Sequence, residues 1–456
     1  MKVTAAPFYQ YKIINTTGNI LFPINMYDKL SKEDPQVFQL VKSELQRIQE
    51  GVELIPSENF ASIAVLQALA TVYNNKYSEG YPGKRYYGGN EFVDEIETLA
   101  IERAKKLFGA EHVNVQPLSG SPANQAVFFA LLNPGDKFMG LDLGCGGHLT
   151  HGSPVNFSGR IYKCASYSVD KETELLDMDA IRKQALEVKP KMIISGLTAY
   201  PRKLDFKAFQ EIAEEVDAYH MSDIAHISGL IAAGLHQSPV PYADAVTTTT
   251  HKTLRGPRGA IIMSKIIDRL HDLYHKDSKK NLAQLIDSAV FPGLQGGPHD
   301  HVTAAKAVSF KEASEPEFKE YARQILKNAK AMADELMVQG IKLVTNGTDN
   351  HLMLIDLTKS NLTGKGKEIQ IALEEAGIFV NKNAIPFDPA SPFTPSGIRV
   401  GTPAITTRGF KENESKEIAR GIATVIKNHE DKTVLEKVRG NILEVCRQFP
   451  LYEELL

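Results

Sequence analysis

The chain has 456 residues, 43% apolar and 23% charged, which suits a large core divided over two or three domains. Its 52 basic and 55 acidic side chains leave a net charge of −3, so composition gives no reason to expect a nucleic-acid partner. No run of about 20 apolar residues suggests a membrane span, the first ten residues lack the apolar segment of a secretory signal, and three widely spaced cysteines, Cys145, Cys164 and Cys446, point to a reducing, cytoplasmic setting.

The leader, to about Asp28, is irregular and broken by Pro7, Gly18 and Pro23. The stretch 31–35 predicts a helix start, with Ser31 as the cap and Pro35 in the first turn. Val37, Leu40, Val41, Leu45 and Ile48 continue it at helical spacing. Residues 75–89 then form a loop dense in tyrosine, glycine and charge, a composition that carries function more often than packing; a surface turn held by tyrosine stacking is the plain alternative. From about Phe92 to Phe310 short apolar strands, at 113–115, 191–195 and 217–222, alternate with helices such as 122–132. Such alternation predicts an α/β domain with a largely parallel sheet and ligands at the C-terminal ends of its strands. Beyond about Ala313 a long helix (318–340), a strand (351–357), a helix (368–376) and the segment 398–400 predict a smaller α+β domain. The division expected is a leader and helical arm over 1–79, a large domain over 80–312 and a small domain over 313–456.

The most informative stretch is 243–259. Val246 and four threonines predict a strand that ends in His251-Lys252, and Gly256-Pro257 and Gly259 turn the chain into a second strand at 260–263. A lysine held at a strand end can be desolvated, lose its proton near neutral pH and attack a carbonyl, although most lysines are simply solvated. Arg255 and Arg258 beside it also fit a phosphate or nucleic-acid patch. Ser119-Gly120-Ser121 lies between a strand and a helix, where free N–H groups bind phosphate or a serine merely caps. Asp223 ends a strand; it could hold a heterocyclic nitrogen protonated or cap a turn. His148 and His151 have a metal-like spacing, but no neighbouring cysteine, glutamate or third histidine completes a site, so a ring-stacking imidazole fits better and no metal is expected. Arg399, flanked by apolar residues, needs a carboxylate, from a substrate or from a structural ion pair. Dinucleotide and P-loop glycine fingerprints are absent. A Schiff-base lysine, a phosphate cup, a carboxylate for a ring nitrogen, a stacking imidazole and a carboxylate-binding arginine together match the needs of pyridoxal phosphate.

From about Tyr27 onward the chain resembles the serine hydroxymethyltransferases, on the stretches 77–89, 146–152, 247–259 and 397–403. The resemblance implies an aspartate-aminotransferase-like fold (fold type I), with a large domain on a mostly parallel mixed sheet. It implies reversible conversion of L-serine and tetrahydrofolate to glycine and 5,10-methylenetetrahydrofolate in one-carbon metabolism. By this resemblance Lys252 carries pyridoxal 5'-phosphate as an internal aldimine, Asp223 pairs with the ring nitrogen, His148 stacks on the ring, and His226 and Thr198 contact it. Ser119, Gly120 and Ser121 hold the phosphate. Ser57 and Arg399 hold the substrate carboxylate, Glu79 moves the proton at the substrate hydroxyl, and Tyr77, Tyr86 and Tyr87 line the site. His251 bears on reaction specificity. Leu143, Gly147, Leu149, Asn383, Ser391, Pro392 and Phe393 match folate-contacting positions. Tyr77, Glu79 and the Gly296-Gly297 loop come from a neighbouring subunit, so the unit is a homodimer at least, with a tetramer left open.

The sequence departs from the family pattern at Pro122, where glutamine is usual, at Thr198, where a serine is common, and at Gly144-Cys145, near the folate entrance. None removes a reacting group. The competing readings are a folate-independent aldolase for β-hydroxy amino acids and, in another class, a nucleic-acid-binding protein built on Lys252, Arg255 and Arg258; the near-neutral charge argues against the latter.

Overall fold

The computed structural model describes residues 26–455, together with the backbone of a short antiparallel pair, Ile13–Ile14 with Ile20–Leu21. The rest of the leader lies outside the described residues. Helix α1, Pro35–Glu50, starts at Asp34, whose carboxylate accepts the Val37 N–H at 3.0 Å. The expected cap, Ser31, instead lies inside a separate short helix, Asp28–Glu33, and donates to the Asp28 carbonyl. Aspartate followed by proline is the better start: the carboxylate caps, and the proline lacks only an N–H that would be unpaired there. After α1, Val52–Glu53 pairs in parallel with Ile378–Phe379, which draws Val52 and Leu54 into the C-terminal core.

Helix α2 (Glu91–Phe108) precedes β1 (His112–Asn114) and α3 (Gly120–Leu131). Strands β2 (Lys137–Met139), β3 (Lys163–Cys164), β4 (Met192–Gly196), β5 (Tyr219–Asp223), β6 (Ala245–Thr249) and β7 (Ala260–Ser264) complete a seven-stranded sheet ordered β1-β7-β6-β5-β4-β2-β3. Pairings from β6 through β3 are parallel, and β7 alone runs against its neighbours. β5 begins two residues later than expected because Asp217 turns with φ of 52°. Successive residues feed opposite faces: Met192 and Ile194 enter one core and Ile193 another, as Ala260 and Ile262 do against Ile261 and Met263. Burial on both faces is what a continuous apolar, β-branched run dictates in a parallel sheet.

Helices α4 (Asp300–Ala313) and α5 (Pro316–Val338) lead to an antiparallel sheet of β8 (Lys342–Leu343), β9 (Leu352–Asp356), β10 (Asn381–Asn383) and β11 (Gly397–Gly401), in the order β8-β9-β11-β10. It packs with α6 (Glu412–Lys427) and α7 (Lys432–Gln448). The cores change hands inside α5: Phe318, Tyr321 and Ile325 belong to the first, and Ala329, Met332 and Leu336 to the second. No helix among the described residues is long and apolar enough to cross a membrane.

Candidate active site

Strands β4, β5 and β6 end at one cavity of about 340 Å³, closed on the other side by Arg399 of β11 and by Ser57 and Glu58. Lys252 follows β6 in a loop that folds on itself. The Thr250 N–H donates to the Gly259 carbonyl at 3.0 Å, and its hydroxyl donates to the Pro257 carbonyl at 2.6 Å. Arg255 takes φ of 60° and stacks 4.3 Å from the Tyr321 ring, so it serves α5 rather than the cavity; Arg258 lines the cavity. Lys252 is 9% exposed. Burial draws its ammonium down to about 8; Asp223 opposes this, and Arg399 and Arg258 add to it.

Asp223, the last residue of β5, is buried with its carboxylate saturated on one side. Asn124 donates to Oδ2 at 2.8 Å, His151 Nε2 lies 3.1 Å from the same atom, and the Ala225 N–H donates to Oδ1 at 3.0 Å. Burial pushes this carboxyl up, but the His151 contact and the other donors outweigh it and hold it well below the usual carboxylate range. His148 Nδ1 lies 2.8 Å from the Thr150 hydroxyl, and burial draws its pKa to about 4, so the ring is neutral at pH 7. His226 stacks on His351 with centroids 5.4 Å apart and ring nitrogens 3.2 Å apart; burial lowers both. His251 is lowered to about 3, chiefly by burial, and its buried Nδ1 has no hydrogen-bond partner.

Ser119, Gly120 and Ser121 open α3 at the cavity wall, and the Ser119 side chain makes no capping bond, against the capping alternative. A Cβ on Gly120 would come 2.8 Å from Thr249 Cγ2, so only glycine lets the helix start close on the end of β6. Pro122 is the third residue of α3, where its missing N–H is tolerated. Thr198 lines the cavity, its N–H donates to the Gly146 carbonyl at 2.7 Å, and its own carbonyl accepts from Arg399 Nη1 at 2.7 Å. Arg399 also donates from Nε to Asn381 at 3.1 Å. It is 7% exposed, and no carboxylate forms an ion pair with it among the described residues. The structural ion pair weighed from sequence is therefore not made there.

Tyr77, Glu79, Tyr86, Tyr87 and Gly297 do not line this cavity. They form a second cluster: the Tyr77 hydroxyl donates to Glu79 Oε1 at 3.3 Å, the Tyr77 and Tyr87 rings meet edge-on at 5.0 Å, Tyr86 packs on Phe291, and a Cβ on Gly297 would lie 3.4 Å from the Tyr77 ring. The loop is anchored from beneath, where Arg85 pairs with Asp94 at 2.8 Å and Glu97 at 2.6 Å and the Ser78 hydroxyl donates to Asp300. Leu143 and Leu149 are exposed on the turns flanking Gly147 and His148; Asn383 lies on β10, and Ser391, Pro392 and Phe393 are exposed beyond it. Of these residues only His148 lines the cavity. Cys145 is buried in the large core.

Sequence reasoning missed three supports, His151 and Asn124 on Asp223 and His351 on His226, and did not single out Glu58. The 148/151 spacing was the one available signal, and it places His151 against the Asp223 carboxylate. A comparison with family models matches residues 30–422 to Serine hydroxymethyltransferase, a span that holds every cavity residue and the tyrosine cluster. The chain therefore belongs to the serine hydroxymethyltransferase family, the pyridoxal-phosphate-dependent transferases that interconvert serine and glycine with tetrahydrofolate as co-substrate.

Proposed function

We propose that the Lys252 cavity is where this chain carries out the family's reaction, and that Arg399 is the observation that carries the assignment. A buried guanidinium without a carboxylate is costly unless an anion arrives. An amino acid brings that carboxylate on the same carbon as the amine that would take the place of Lys252 on the cofactor. Ser57 lies in the same wall to share it.

The donor set suits pyridoxal phosphate: an amine drawn toward neutrality, an ionised buried carboxylate, and a helix start with free N–H groups and unused hydroxyls. When bound, that cofactor supplies an electrophilic carbon and a ring that takes up the electron pair left at the substrate α-carbon. Lys252 Nζ is its covalent tether. Asp223 holds a proton on the ring nitrogen, steadied by His151 and Asn124. His148 offers a neutral imidazole for stacking, and His226 and Thr198 offer polar atoms at the ring's edge. Ser119, Gly120 and Ser121 hold the phosphate. His251 keeps a neutral, desolvated flank beside Lys252.

Glu79 moves the proton at the substrate hydroxyl oxygen, and Tyr77, Tyr86, Tyr87 and Gly297 complete the wall. That cluster stands apart from its own chain's cavity, which supports a homodimer with each site completed by a second copy. Leu143, Gly147, Leu149, Asn383, Ser391, Pro392 and Phe393 contact folate. The parts are a leader and helical arm (1–79), a large domain (80–312) and a small domain (313–456). The three cysteines are unpaired, which supports the cytoplasm. No observation favours a folate-independent aldolase.

The test is a visible spectrum of the reconstituted protein with glycine, then with tetrahydrofolate added. A red-shifted band that grows only with all components supports the reading; borohydride fixing the cofactor to Lys252→Ala as fully as to wild type would overturn it.

A further inference from the structure

Lys306, on α4, is 2% exposed and has no carboxylate in ion-pair range among the described residues. Its ammonium donates to three main-chain carbonyls: Val115 at 2.6 Å, Ala260 at 2.9 Å and Pro117 at 3.2 Å. Three acceptors require three N–H donors, which only the protonated amine supplies. Burial disfavours that charge and draws the pKa to about 7, with Glu97 opposing; the three converging dipoles favour the charge and would repel one another without it.

Those carbonyls bracket the Lys252 cavity. Val115 and Pro117 connect β1 to Ser119, and Ala260 opens β7 directly after the loop that carries Lys252. The Ala260 N–H also donates to the Pro117 carbonyl at 3.2 Å. Gly259 is fitted to the lysine, since a Cβ there would come 2.6 Å from Lys306 Cε.

We propose that Lys306 acts as a tethered monovalent cation that positions the Ser119–Ser121 cup against the Lys252 loop. It is a positioning residue, and the inference rests on the assignment of that cup to the cofactor phosphate. If the ammonium group matters and its tether does not, a free small cation can replace it in the space left by truncation.

The experiment measures pyridoxal phosphate affinity, by absorbance titration of the apo protein, for wild type, Lys306→Ala and Lys306→Met, in tetramethylammonium chloride and in ammonium chloride. Lys306→Ala is expected to bind about tenfold or more weakly in tetramethylammonium and to return close to wild type in ammonium. Lys306→Met fills the space and is expected to stay weak in both. Lys306→Ala affinity equal to wild type, or weakened equally in both salts, would overturn the inference. Should Lys306→Ala not fold in tetramethylammonium, circular dichroism in the two salts decides: folding regained only in ammonium supports it, and an unfolded chain in both refutes it. A wild-type protein that binds no pyridoxal phosphate would refute the cup assignment and this inference together; a wild type that binds, with Lys306→Ala equally tight, refutes the inference alone.

Discussion

The carboxylate of Asp223 and the imidazole of His151 meet at 3.1 Å inside the protein, where neither can trade its partner for water. Burial alone would raise the Asp223 pKa; the surrounding donors lower it instead. A depressed carboxylate stabilises the fold above its unfolded pKa of about 3.9 and loses that contribution as pH falls through its folded value. His151→Leu is therefore expected to lower apo-protein stability near pH 7 by about 2 kcal/mol, with the gap to wild type closing in acid, and to weaken pyridoxal phosphate binding. Denaturant titrations at a series of pH values check this; parallel curves at all pH would contradict it.

Lys252 has the opposite sign. Its folded pKa, drawn by burial to about 8, lies below its unfolded value, so the unfolded chain binds more protons between about pH 8 and 10.4 and apo stability rises with pH across that window. Lys252→Met removes the buried amine. It is expected to exceed apo wild type in stability by about 3 kcal/mol at pH 7, with the advantage shrinking by pH 10, while borohydride traps no cofactor on it.

Arg399→Ala leaves a buried space where the substrate carboxylate should sit. Losing a charged hydrogen-bonded pair costs about 3 kcal/mol, so the serine KM is expected to rise about a hundredfold, with kcat changed much less. Steady-state kinetics at saturating folate would show this, and an unchanged KM would remove Arg399 from the carboxylate.

Glu79→Gln is expected to bind serine and turn over far more slowly with folate. Mixing that protein with Lys252→Ala and letting subunits re-assort tests the shared site. A hybrid dimer has one site with both changes and one with neither, so activity should recover to about a quarter of wild type under random pairing. No recovery would place Glu79 in its own chain's cavity.

The sheet was legible because threonine and isoleucine runs between turn signals have few other uses: β4 and β5 lie within two residues of their expected places, and β6 stops at Thr249, short of the His251-Lys252 end expected. The cavity residues were each ambiguous alone; it was their chemical complementarity that made Lys252, Asp223, Ser119 and Arg399 readable as a set. What stayed hidden was contact across the chain. Asn124 reaches Asp223 over 99 positions, and His226 reaches His351 over 125. No local pattern encodes such pairs. Ser31 misled because a serine and an aspartate stood three residues apart, and the proline after Asp34 decided between them.

Helix α5 is built into both cores without a break, taking Ile325 into one and Ala329 into the other. Neither half can melt without fraying the other, so heat should dismantle the empty protein in a single cooperative step. Serine held by Arg399 against a cofactor anchored at Lys252 bridges the same divide, and it should move that step upward as a whole, without splitting it in two.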